Sequence, residues 1–214
     1  MWLNGPESMS ATLNSKRLVT TARAVALLDQ DMARLLENHG TPPLWARDAG
    51  FATLVRIILE QQVSLASADA MYRRLNNSID AISPAAIIAV GVSHLRSVGV
   101  TRQKAAYFIN LAVAIQSGKL DLEALEKDSD KRVQEKLTAV KGIGPWTAKI
   151  YLLMVLLRPD VWPVGDIALA TAVKNLRGLQ NRPTQPELSE IAKAWRPHRA
   201  TAARMLWHYY LSGM

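Results

Sequence analysis

Apolar residues recur at helical spacing along almost the whole chain, and glycine and proline cut that pattern into short pieces. Between Val19 and Glu37 the apolar residues at helical spacing include Ala22, Val25, Ala26, Leu28, Met32, Leu35 and Leu36. That is the period of a helix with one buried face. Gly40, Pro42 and Pro43 end it. The same period returns over Phe51–Val63, from a Ser64 cap to Asn76, from Ser83-Pro84 to Gly91, over Ser93–Val98, and over Thr101–Gln116 before Gly118. A short turn at Leu122–Leu125, in an acidic stretch, precedes a helix over Lys131–Ala139 with Asp130 as its expected cap. Further helices are expected over Trp146–Leu157, Asp166–Leu176, Pro186–Trp195 and Pro197–Leu211. No segment alternates with the two-residue period of a strand. The pattern predicts an all-α chain of about ten short helices.

At 214 residues the chain is one domain, or one fold of two packed lobes. The reading is an N-terminal tail over 1–17 and a single fold over 18–214. Lys and Arg number 26 against 18 Asp and Glu, a net charge of +8. Such an excess points to nucleic acid or another acidic partner. There is no cysteine, which excludes disulfides, thiolate zinc sites, iron–sulfur clusters and cysteine nucleophiles. The four histidines, His39, His94, His198 and His208, form no metal-ligating pair at helical spacing. No apolar run reaches the roughly 18 residues of a membrane span, and residues 1–15 lack a signal-peptide core. A cytoplasmic location is expected, nucleoid-associated if the source is bacterial.

The most informative segment is Lys141-Gly142-Ile143-Gly144-Pro145, set between two helices. Glycine permits positive φ and close backbone approach. Pro145 suits the first position of the following helix, where its missing N–H costs nothing. The amides around Gly142, Gly144 and Trp146 then face outward at a helix N-terminus, a place that favours an anion. Lys141, Thr147 and Lys149 surround it. Chain reversal alone is the other reading of Gly-x-Gly; the basic neighbours and the net charge favour phosphate. Downstream, the loop Arg158–Gly165 leads to Asp166 at the start of a helix, where aspartate is a favoured cap. Asp160, after Pro159, reads as a turn residue.

Taken in order, these segments resemble the helix-hairpin-helix DNA glycosylase superfamily, which pairs such a hairpin with a Gly/Pro-rich loop ending in an essential aspartate. Within it, the chain is most similar to the 3-methyladenine DNA glycosylase II group. The resemblance runs from Leu54 to Trp207. It rests on Glu60-Gln61-Gln62-Val63-Ser64, the hairpin Val140–Ala148, the loop Arg158–Leu169, and Trp195-Arg196-Pro197-His198-Arg199 with Leu206-Trp207. It implies two helical lobes with the active-site cleft between them, the hairpin lying within 131–157. The chain resembles the compact form, without the extra N-terminal domain of larger members.

The resemblance implies a monofunctional glycosylase that flips alkylated purines, of the 3-methyladenine and 7-methylguanine type, from double-stranded DNA. It would hydrolyse the N-glycosidic bond and leave an abasic site. Asp166 would be the catalytic carboxylate, supporting an oxocarbenium-like sugar or activating water. Trp146 stands where strand-cutting members carry a Schiff-base lysine. Trp146 and Trp207 would line the base pocket, with Ile150 and Ile167 at positions that are aromatic in a larger member. Gln62 occupies the wedge position, a leucine in that larger member. Lys141, Gly142, Gly144, Thr147 and Lys149 would bind DNA phosphate. The carbonyls of Val140 and Ile143 would hold a monovalent cation, Na+ or K+; no other cofactor or metal is expected. Arg196 and Arg199 match an Arg-Pro-x-Arg motif with a structural or phosphate-proximal role. A monomer acting on alkylated DNA, away from membranes, is expected.

The residues alone keep plainer readings open. Asp166 can serve only as a helix cap, Gln61 and Gln62 only as the end of a helix, and Trp146 and Trp207 only as core aromatics. The corresponding alternatives in function are a non-catalytic helical module for damaged or bent DNA, and a sibling glycosylase for another lesion.

Overall fold

The computed structural model describes residues 12–213. Residues 1–11, which hold most of the expected tail, lie outside that range. Among the described residues there are eleven α-helices, one 3-10 helix at Ala124–Lys127 and no strand. The helices are α1 (Ser15–Leu28), α2 (Gln30–His39), α3 (Phe51–Glu60), α4 (Leu65–Ser78), α5 (Pro84–Ser97), α6 (Arg102–Gln116), α7 (Asp130–Thr138), α8 (Pro145–Met154), α9 (Ile167–Leu176), α10 (Gln185–Lys193) and α11 (Arg199–Leu211). No helix among these residues is long and apolar enough to cross a membrane.

The chain divides into two compact units. The first takes residues up to Ala46 and from Leu152 onward, and the second is Arg47–Tyr151. The division falls inside α8. In the first unit α11 packs on α1, α2 and α9, and Leu18, Val25, Met32, Leu169, Trp195 and Leu206 fill its core. In the second unit α6 packs on both α5 and α3, and α3 on α4. Leu54, Ile57, Ile58, Leu75, Phe108 and Leu111 fill that core.

Local chemistry redraws several expected boundaries. The stretch Val19–Glu37 is two helices, not one. Asp29 sits between them in an extended conformation (φ −150°, ψ 119°), and its side chain accepts from the Asp31 and Met32 amides at the start of α2. A short polar side chain that satisfies the backbone locally ends one helix and begins the next. The other Asp29 oxygen accepts from Arg177 Nη2 (2.8 Å) and Trp195 Nε1 (2.9 Å), tying α2 to the C-terminal helices of its unit. Ser129, not Asp130, caps α7 by accepting from the Arg132 amide. Asp130 falls in the first turn, where its charge complements the helix dipole. Helix α8 starts at Pro145 as expected but stops at Met154, with Leu157 at φ 52° beyond it. Helix α3 stops at Glu60, before the wedge turn.

Candidate active site

In the second unit the hairpin links α7 to α8. Gly142 has φ +109°, and a Cβ built on it would lie 2.3 Å from Tyr107 Cγ. Only glycine lets the turn press onto that ring. Gly144 has no such need: its φ is not positive and nothing lies within 4 Å of a built Cβ. Ile143 is buried, as a plug between the helices requires. Lys141 is exposed, whereas Trp146 and Lys149 are half-buried. Thr147 is only 1% exposed, and its hydroxyl accepts from Gln61 Nε2 at 2.9 Å. Its side chain therefore faces the interior and the wedge turn. Ile150 is likewise buried.

The turn after α3 holds Gln62, the residue expected to act as a wedge. Gln62 is exposed, with φ +57°, a conformation that L-residues rarely adopt. Val63 and Leu65 beside it are exposed apolar side chains. Gln61 points the other way. Its amide nitrogen donates to the Gly142 carbonyl (3.0 Å) as well as to Thr147, so wedge turn and hairpin are directly joined. From α6, the buried Lys104 donates to the carbonyls of Leu59 (2.7 Å) and Gln61 (2.9 Å). Burial pushes its ammonium below the ordinary lysine value. Asn110, two turns along α6, donates to the Lys141 carbonyl.

In the first unit Asp166 caps α9, and the structure realises that reading in full. Its Oδ1 accepts from the Leu169 amide (2.9 Å) and from Trp207 Nε1 (3.2 Å). Asp166 and Trp207 are both 8% exposed. Trp207 is thus a largely buried aromatic whose polar edge is spent on the carboxylate. Ile167, the next residue, is 66% exposed. The loop before Asp166 is latched to the start of α11. Arg199 Nε and Nη2 donate to the two Asp160 carboxylate oxygens at 2.7 and 2.9 Å. Asp160 is accordingly an ion-pair partner, not only a turn residue, and Arg199 takes the structural role. Arg204, fully buried one turn before Trp207, donates to the carbonyls of Leu44, Leu153 and Ala200. Burial lowers its guanidinium to about 10.

Of the expected site residues, the structure therefore gathers Asp166, Ile167 and Trp207 in one unit. It gathers Gln62 and the hairpin residues with Trp146 and Ile150 in the other. Sequence reasoning passed over Lys104, Tyr107, Asn110 and Arg204. Lys104 did carry a signal, since it falls on the same helical stripe as Phe108 and Leu111. Arg204 lies in the apolar run over 202–207. A cation on a buried stripe is rarely idle, because leaving it unpaired costs too much.

Residues 55–197 match the family described as HhH-GPD superfamily base excision DNA repair protein. The chain belongs to that superfamily. The Schizosaccharomyces pombe 3-methyladenine DNA glycosylase Mag1, solved in complex with abasic DNA, has a TM-score of 0.83 to it at 27% identity. That match covers 88% of this chain and 95% of the other. A DNA-3-methyladenine glycosidase from Bacillus halodurans has a TM-score of 0.74 at 33% identity, covering 87% of each chain. YfjP of Bacillus subtilis (strain 168), named as a candidate DNA-3-methyladenine glycosylase, is 28% identical over 184 residues. That is 82% of this chain but 64% of YfjP, so the chain spans under two thirds of that relative. Among the described residues no group of three or more His, Cys, Asp or Glu could hold a metal ion.

Proposed function

We propose that this protein is a monofunctional DNA glycosylase that removes alkylated purines, of the 3-methyladenine and 7-methylguanine type, from double-stranded DNA. The observation that carries the reading is Asp166, a buried carboxylate oriented by the Leu169 amide and the Trp207 indole. The names of the superfamily relatives support the substrate class. An N3- or N7-alkylated purine is cationic and leaves readily. As its bond to C1′ breaks, the bonding pair goes to the base and positive charge develops on the sugar. A carboxylate held in place beforehand stabilises that charge without reorganising. Water then adds to C1′ and loses its proton, leaving an abasic site and an intact strand.

Trp146 occupies the hairpin position that would hold an amine nucleophile in a strand-cutting enzyme, and an indole cannot form a Schiff base. The outward hairpin amides, Lys141 and Lys149 hold phosphate, and Gln62 fills the gap left by the flipped nucleotide. The carbonyls of Val140 and Ile143 fit a monovalent cation in that role. The Val140 oxygen accepts from the Ile143 amide at 3.0 Å and keeps a second lone pair.

The test is release of free base from alkylated duplex by the wild type and by Asp166→Asn. The variant is expected to lose about 100-fold or more in single-turnover rate. The DNA strand stays whole until alkali is added. Equal rates would sink the assignment. DNA binding with no base release by either protein would favour the non-catalytic module instead.

A further inference from the structure

The wedge turn has an unusual support. Gln62 holds a backbone conformation that is unfavourable for an L-residue. The last carbonyls of α3 have no partners within the helix. Both problems meet at one group, the ammonium of Lys104, which grips the Leu59 carbonyl at the end of α3 and the Gln61 carbonyl immediately before Gln62. Lys104 is 8% exposed, so it cannot itself reach DNA. The same face of α6 also meets the hairpin. Tyr107 packs against Gly142, and Asn110 donates to the Lys141 carbonyl. The Gln61 side chain closes the loop between turn and hairpin. One helix face thus sets the register of both DNA-gripping elements in this unit.

We propose that Lys104 is a positioning residue for base extrusion: it fixes the turn that carries Gln62 and Val63 in the shape needed to replace the flipped nucleotide. This rests on the glycosylase reading above. The role is distinct from holding the fold together, because it predicts a defect that depends on whether the damaged base must be pulled out of a pair. Extrusion costs least when the base is already unpaired. A disordered wedge therefore matters for a paired lesion and much less for an unpaired one.

The experiment compares single-turnover excision of 7-methylguanine opposite cytosine with excision opposite an abasic analogue, in the full chain. Lys104→Met is expected to slow the paired substrate about tenfold or more and the unpaired substrate less than about threefold. Lys104→Arg, which keeps a cationic donor, recovers most of the paired rate. If Lys104→Met does not fold, Lys104→Gln is read by the same ratio. Equal loss on both substrates, or loss on neither, with an intact circular dichroism spectrum overturns the positioning role. Failure of the wild type to release base from either duplex overturns the glycosylase reading and this inference with it.

Discussion

The hairpin holds two glycines that look alike in the sequence and differ in the structure, and alanine substitution separates them. At Gly142 the φ of +109° is forbidden territory for alanine, and its Cβ would meet Tyr107 Cγ at 2.3 Å and Tyr107 Cβ at 2.5 Å. Backbone strain of that kind costs about 1–3 kcal/mol. Overpacking against a ring anchored on a helix adds about 1–3 kcal/mol. Gly142→Ala is therefore expected to lose about 2–6 kcal/mol, a large part of the roughly 5–15 kcal/mol typical of a whole protein. At about 2–4 °C per kcal/mol for a chain of this size, the melting point falls by about 4–24 °C. Gly144→Ala meets nothing within 4 Å and is expected to be neutral or stabilising by up to about 1 kcal/mol.

A double-mutant cycle isolates the clash. Tyr107→Gly removes both offending atoms, so Gly142→Ala in that background is less costly by about 1–3 kcal/mol than in the wild type. Urea unfolding of the four proteins gives the coupling directly. Additivity within about 0.5 kcal/mol would show that the close approach does not exist. The Gly144 variant adds a functional control. If its glycine serves the approach of a phosphate, Gly144→Ala keeps the fold and weakens DNA binding.

Two further outcomes concern buried polar groups in the same unit. The Tyr151 hydroxyl is buried with no hydrogen-bond partner, and burial together with Glu126 raises its pKa to about 12. Tyr151→Phe is expected to be neutral or stabilising by up to about 1 kcal/mol in thermal melts; a loss of more than that would show the hydroxyl is bonded. Lys104 is held below its ordinary value of 10.5 by burial. Between the folded value and 10.5 the unfolded chain binds the extra proton, so stability rises with pH there. Relative to Lys104→Met, the wild type therefore gains stability as pH approaches 10.5 and levels off above it; a flat difference in urea titrations refutes this.

The helical architecture was legible because it is written in local signals. Ser64 and Ser83 cap the helices expected of them, Thr101 caps the helix it was expected to begin, and Gly91 breaks α5 at φ 68° where the pattern pauses. What the sequence hid was long-range. Asp29 breaks an otherwise continuous helical period, and the Arg177 and Trp195 that reward it lie far along the chain. Asp160 reads as turn chemistry until Arg199 is placed beside it. In the same way Thr147 reads as a phosphate ligand because the hairpin is basic. Its burial follows from Gln61, 86 positions earlier. Motif residues are legible by type and order, and the residues that support them are not, because nothing local demands them.

Asp166 joins the two readings that the sequence left side by side. A capping side chain is worth about 0.5–2 kcal/mol, and asparagine caps as well as aspartate does. Burying a carboxylate costs several kcal/mol before its bonds repay it. Part of the repayment here comes from the Leu169 amide and the Trp207 indole, both aimed at Oδ1. Asparagine offers the same oxygen to both donors without the charge. If capping were the whole purpose, a neutral side chain would serve equally well at this 8% exposed position. The Asp166→Asn variant is therefore expected to unfold within about 1 kcal/mol of the wild type, or later, while it loses base release. Asp166→Ala strands both donors and costs about 2–4 kcal/mol. Should Asp166→Asn prove as unstable as Asp166→Ala, the charge itself holds the fold, and its loss of activity would say nothing about chemistry.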